Sequence, residues 1–234
     1  MSLTQALSRS VNTIAVQLCL ELGPESVVAS ARRMGITSDL AAVPSLALGT
    51  SEVTLSELVG AYVPFATGGR GAMAHGIKRV RTIDGDVLYE RRGSGLGRLI
   101  SAEHAGAMNR MLVDAVRNGT GKAAMLNGRA MGGKTGTSQE FKDAWFVGYT
   151  RQLVAGVWLG NDEGVPMSKN ITGGTLPAQI WKSFMERATA GQPVLALPGT
   201  DATDRTATAS ETASDFDEVL AELFKGNPEG DGQN

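Results

Sequence analysis

Cysteine is almost absent. Cys19 stands alone in 234 residues, so no internal disulfide can form, and its place in an apolar helical pattern makes it a small core side chain. Histidine is scarce too. His75 and His104 lie far apart, with no cysteine or carboxylate cluster at ligand spacing. That argues against a metal site, and both read as surface residues. No apolar run is long enough to span a bilayer, and no leader pattern opens the chain. There is no internal repeat, and no basic stripe of the kind that binds nucleic acid.

What is present suffices for a globular protein. Hydrophobic residues make up 42% and the net charge is −2. This allows one or two domains with a proper core. The charge is uneven: from Gln192 onward the chain holds nine acidic and two basic residues, which leaves the body mildly basic. Beyond Gly191 the composition shifts to Ala, Thr, Ser, Asp and Pro. We read residues 191–234 as an acidic, disordered tail, with a short amphipathic helix at 216–224.

Apolar residues Leu7, Val11, Ile14, Leu18 and Leu22 recur at helical intervals. The polar knot from Ser8 to Thr13 interrupts them, because such side chains compete for backbone hydrogen bonds. The pattern predicts a short helix, a break near 10–12, and a second helix to Leu22. Gly23-Pro24 stops it and opens a third, to Met34. Residues 36–50 read as irregular. Thr54 and Glu57 form a capping box ahead of a helix bent at Pro64. A hairpin follows, from Ile77 to Tyr89, turning at Asp84-Gly85-Asp86. Ser101 caps the next helix. Strands are expected at 144–149 and 153–159, then a helix from Ala178 to Ala188. Trp145, Trp158 and Trp181 read as core.

The chemistry concentrates in Gly132-Gly133-Lys134-Thr135-Gly136-Thr137-Ser138. Small residues at 132, 133 and 136 let a ligand approach the backbone. Lys134 supplies a point charge, while Thr135 and Thr137 supply donors on one face of a strand. That suits an anionic ligand lying along a strand edge. Gly128 to Thr135 also fits the P-loop pattern G-x-x-x-x-G-K-[ST]. A P-loop, however, must open a helix, and the residues after Lys134 read as strand. The other reading is K-T-G, which accompanies S-x-N and S-x-x-K in penicillin-binding proteins and β-lactamases. Ser10-Val11-Asn12 is an S-x-N triplet at the helix break.

With these motifs the chain resembles the transpeptidase domain of class A, bifunctional penicillin-binding proteins. Further blocks carry the resemblance: Ala47-Leu48-Gly49-Thr50-Ser51-Glu52-Val53-Thr54, Asp143-Ala144-Trp145-Phe146-Val147-Gly148-Tyr149, Val157-Trp158-Leu159-Gly160-Asn161-Asp162, and Gly173-Gly174-Thr175-Leu176-Pro177-Ala178. The resemblance implies an α+β fold, an antiparallel sheet flanked by helices with a helical subdomain, over residues 1–190. It implies serine acyl transfer on D-Ala-D-Ala stem peptides of peptidoglycan, acylation by β-lactams, no cofactor, and a place at the periplasmic face of the bacterial inner membrane. Catalytic roles would fall to Ser10, as proton relay, to Asn12, which would hold the substrate amide, and to Lys134. Thr135, Gly136 and Thr137 would bind substrate, the Thr137 N–H serving as half of an oxyanion hole.

One family motif is missing. No serine in the chain is followed three residues later by lysine, so the S-x-x-K nucleophile is absent. Only nine residues precede Ser10, whereas the family places that motif several tens of residues upstream of S-x-N. The expectation is an N-terminally truncated domain that is an enzyme by family but inactive alone, and that self-associates through core exposed by the truncation. The alternative is a naturally nucleophile-free binding module for cell-wall peptide or a partner protein. A β-lactamase is the enzymatic runner-up, disfavoured by the blocks around Gly49, Trp145 and Trp181.

Overall fold

A computed structural model describes residues 1–93 and 95–200. The chain opens with α1 (Leu3–Ser8), capped by Ser2 through a capping box with Gln5. It breaks at Ser10, which takes a left-handed φ of 55°, and resumes as α2 (Asn12–Leu22). Gly23, at φ 82°, turns the chain into α3 (Pro24–Arg33), and Pro24 fits the first turn, where its missing N–H costs nothing. A short 3-10 turn, Pro44–Leu48, lies against α2 within the stretch expected to be irregular.

Helix α4 (Leu55–Thr67) begins on the expected capping box of Thr54 and Glu57 and continues through the buried Pro64 to Gly68. Glu57 also accepts from Thr37 and Ser38, so one carboxylate ties the α3–α4 connection to the helix start. Two small antiparallel ribbons follow. One pairs β1 (Arg70–Ala72) with β4 (Gly95–Arg98); the other is the expected hairpin of β2 (Arg79–Arg81) and β3 (Val87–Glu90).

Helix α5 (Ala102–Arg117), capped by Ser101, is the central helix. A three-stranded antiparallel sheet lies beside it, in the order β5 (Gly132–Thr137), β6 (Asp143–Tyr149), β7 (Val154–Gly160). One face of the sheet packs on α4: a Cβ at Gly156 would sit 2.6 Å from Val59 and 2.9 Å from Leu55. The other meets α6 (Leu176–Ala188), where Trp181 lies 5.2 Å from Phe146, ring to ring, and donates to the Ala155 carbonyl at 2.9 Å. Buried Asn109 satisfies both ends of its amide, accepting from the Tyr149 hydroxyl and donating to the carbonyls of Phe65 and Pro198. That network holds α4, α5, β6 and the segment after α6 together.

Several expectations need correction. Trp181 is fully buried, but Trp158 is 38% exposed. Trp158 lies tilted against half-buried Trp145 on the sheet, and its indole N–H donates to Asp143. Trp158 therefore caps the far end of the sheet rather than filling a core. His104 is buried, because it sits in the first turn of α5 on the side packed into the protein. The β1–β4 ribbon carries glycines at paired positions and no apolar alternation, which hides it from periodicity. Residues 192–200 run back along α5: Leu197 is buried and Gly199 packs on Gly106. The amphipathic segment expected at 216–224 lies outside the described residues. No single helix among those described is long and apolar enough to cross a membrane.

Candidate active site

Four pieces of chain meet around β5. The first is the α1–α2 break. Its left-handed residue is Ser10, whose hydroxyl accepts from Lys134 Nζ at 2.9 Å. A non-glycine residue in this conformation is uncommon, and strain of that sort collects at functional positions. Asn12 starts α2, exposed, and its side chain makes no hydrogen bond among the described residues.

The second piece is β5 itself. It is an edge strand, and Lys134 to Thr137 pair with Val147 to Ala144 across the ladder. Strand alternation puts Lys134 and Gly136 on one face, and Thr135 and Thr137 on the other. Lys134 Nζ also donates to the Thr135 carbonyl at 3.0 Å. A carbonyl free for that contact points away from β6, and in an antiparallel strand the Thr137 N–H shares its side. The outer edge thus offers a backbone donor two residues beyond the lysine. Burial pushes the pKa of the Lys134 ammonium down to about 8, and among the described residues no carboxylate is paired with it.

The third piece is the turn after α5, which sequence reasoning read only as the end of that helix. Thr120 Oγ1 and Thr135 Oγ1 lie 2.6 Å apart. The Thr120 N–H donates to the Ser8 carbonyl at 3.2 Å, so the same turn carries α1. Gly119 permits this, since a Cβ there would come within 2.1 Å of the Ser8 carbonyl oxygen.

The fourth is the β7–α6 connection. The Gly173 N–H donates to Thr137 Oγ1 at 3.0 Å. A Cβ on Gly173 would sit 2.3 Å from the Trp145 carbonyl oxygen and 2.4 Å from that of Gly136; one on Gly174 would sit 2.5 Å from the Thr120 carbonyl oxygen. Two side-chain-free residues are what let this loop lie on the strand. The paired glycines were the visible signal, but nothing local ties them to a strand 36 residues away.

Of the predicted site residues, the structure therefore brings together Ser10, Lys134, Thr135, Gly136 and Thr137. Asn12 stands two residues from Ser10 and makes no side-chain hydrogen bond to the strand among the described residues. Lys134 lies in a strand followed by another strand, so the P-loop geometry is not present. Among the described residues no group of three potential ligands could hold a metal. Chemically the arrangement offers a partly desolvated cation touching a hydroxyl, two threonine hydroxyls, and an open strand edge. It is suited to an extended peptide with an anionic end.

A family profile described as the penicillin binding protein transpeptidase domain matches residues 1–186. Penicillin-binding protein 1A of Neisseria meningitidis is 34% identical over 197 residues, which cover 82% of this chain and 25% of that protein. Its counterpart in Aquifex aeolicus is 36% identical over 192 residues, covering 82% of this chain and 26% of the relative. The chain thus spans about a quarter of the length of these curated relatives. Among solved structures, PonA1 of Mycobacterium tuberculosis in complex with penicillin V superposes with a TM-score of 0.76 at 27% identity, covering 84% of this chain and 58% of that one.

Proposed function

The chain belongs to the penicillin-binding transpeptidase family, and from that premise we propose that it carries the recognition half of an acyl-transfer site for stem peptides ending in D-Ala-D-Ala. The observation that carries this reading is the Lys134–Ser10 contact beside the edge of β5. Lys134 places positive potential next to the substrate carboxylate, and the hydroxyls of Thr135 and Thr137 donate to it. Gly136 keeps the strand flat enough for close approach. Ser10, in contact with a lysine of lowered proton affinity, passes the proton between nucleophile and leaving amine. Asn12 takes the substrate amide, and the Thr137 N–H forms half of the oxyanion hole.

The acyl-accepting serine is not among the residues of this chain, because no S-x-x-K occurs in it. Residues 1–190 act as a partial domain and do not acylate alone. The reaction they serve belongs at the periplasmic face of the inner membrane. A second reading, a naturally nucleophile-free module that holds cell-wall peptide, shares the same recognition edge. An in-frame S-x-x-K in the DNA upstream excludes this second reading.

Titration of the protein with a short peptide ending in D-Ala-D-Ala, followed by amide chemical shifts, tests the recognition edge. Shifts confined to residues 10–12 and 132–138 are expected in the millimolar range, typical of an incomplete site. Shifts elsewhere, or none at that concentration, contradict the reading.

A further inference from the structure

We propose that Thr120 is a positioning residue whose hydroxyl, together with the Gly173 amide, backs the two threonines of β5 as donors to a bound carboxylate and so favours a carboxylate over a carboxamide. The inference deepens the peptide-recognition reading above and rests on it.

A threonine hydroxyl has one proton to give and can accept elsewhere. On Thr137 the accepting side is used by the Gly173 N–H, which can only donate. The Thr137 proton is left to point outward. On Thr135 the neighbour is another hydroxyl, Thr120 Oγ1, at 2.6 Å, and neither oxygen has another hydrogen-bond partner among the described residues. Either can be the donor when the site is empty. A carboxylate at the edge accepts only, so it selects the arrangement in which Thr120 donates to Thr135 and Thr135 donates to the ligand. The chained bonds polarise one another and strengthen the outer one. A carboxamide has one accepting oxygen, so one hydroxyl meets an N–H. At Thr137, whose accepting side is taken, that N–H goes unmatched, and at Thr135 it reverses the Thr120 pair and forfeits the charge-assisted bond.

The support for Thr120 is built into the fold. Its N–H is tied to the Ser8 carbonyl, and its own carbonyl lies under Gly174. Both flanking contacts come from distant segments, so the hydroxyl is held at one distance from β5 by α1 on one side and the β7–α6 loop on the other.

The test uses the whole chain, a peptide ending in free D-Ala-D-Ala, and its C-terminal carboxamide. Binding is read from the amide shifts of 132–138 in the wild type, Thr120→Val and Thr120→Ser. The wild type should prefer the carboxylate by about tenfold. Thr120→Val should weaken the carboxylate by about fivefold and the carboxamide by less than about twofold, and Thr120→Ser should restore the preference to within about twofold. Equal weakening of both ligands by Thr120→Val would show a merely structural residue and overturn the proposal, as would a preference that stays near tenfold without the hydroxyl. A wild type that binds neither peptide defeats the recognition reading and this inference with it. A wild type that binds the carboxylate while Thr120→Val keeps the full tenfold preference defeats this inference alone. Matching melting curves of Thr120→Ser and Thr120→Val separate a lost hydroxyl from lost folding.

Discussion

At Lys134 two demands meet: the ammonium must touch Ser10, and the fold must bury most of the side chain to bring it there. Its folded value of about 8 lies below the ordinary 10.5. Between those values the unfolded chain binds more protons than the folded one, so stability rises with pH across that window. At pH 7 the charged group is paid for in full. Lys134→Met should therefore raise stability at pH 7 by on the order of 1 kcal/mol, allowing for the partial exposure of the head and its lost hydrogen bonds. The advantage should shrink as pH rises through 8 toward 10. Denaturant unfolding at pH 7 and pH 9.5 checks this; a difference that does not depend on pH would mean that the ammonium is well solvated.

Among the elements, the docking of α1 against the end of α5 decides whether Ser10 reaches β5 at all. The contact passes through Gly119, where added bulk meets the Ser8 backbone. Gly119→Ala should lower stability by about 2 kcal/mol, a fall of roughly 4–8 °C in melting temperature for a chain of this size. The amide shifts of 8–12 should move while those of α3 stay. The same element shows what the sequence could and could not reveal. The break at 10–12 was legible because serine and asparagine at a helix interruption announce non-helical backbone. The strand of Lys134 was legible from its glycines and the aromatic, β-branched run after it. The capping box of Thr54 and Glu57 and the β2–β3 hairpin were legible for equally local reasons; the box of Ser2 and Gln5 was not read. Thr120 was not, since its partner is 15 residues away across a turn, and Gly173 was not, since its partner lies 36 residues away. Leu197 was missed because the run Val194-Leu195-Ala196-Leu197 is too short to show a period, and only α5 decides that Leu197 is buried while Val194 and Leu195 stay exposed.

At the scale of the whole molecule, β7 is an edge of the sheet with no further strand beside it among the described residues, and the outer side of α6 exposes Leu176, Ile180 and Phe184. An open edge next to an apolar helix face favours association. The account predicts dimers or larger species by light scattering at micromolar concentration; a monomer throughout would count against the expected exposure of core. The recognition edge and the missing serine meet in one observation, the intact mass of the protein after incubation with a penicillin. The account predicts no covalent adduct, because the proposed role of Ser10 is proton relay and no S-x-x-K serine occurs in this sequence. An adduct, above all one mapped to Ser10, would show that the chain carries its own nucleophile and would contradict the assignment of roles around Lys134.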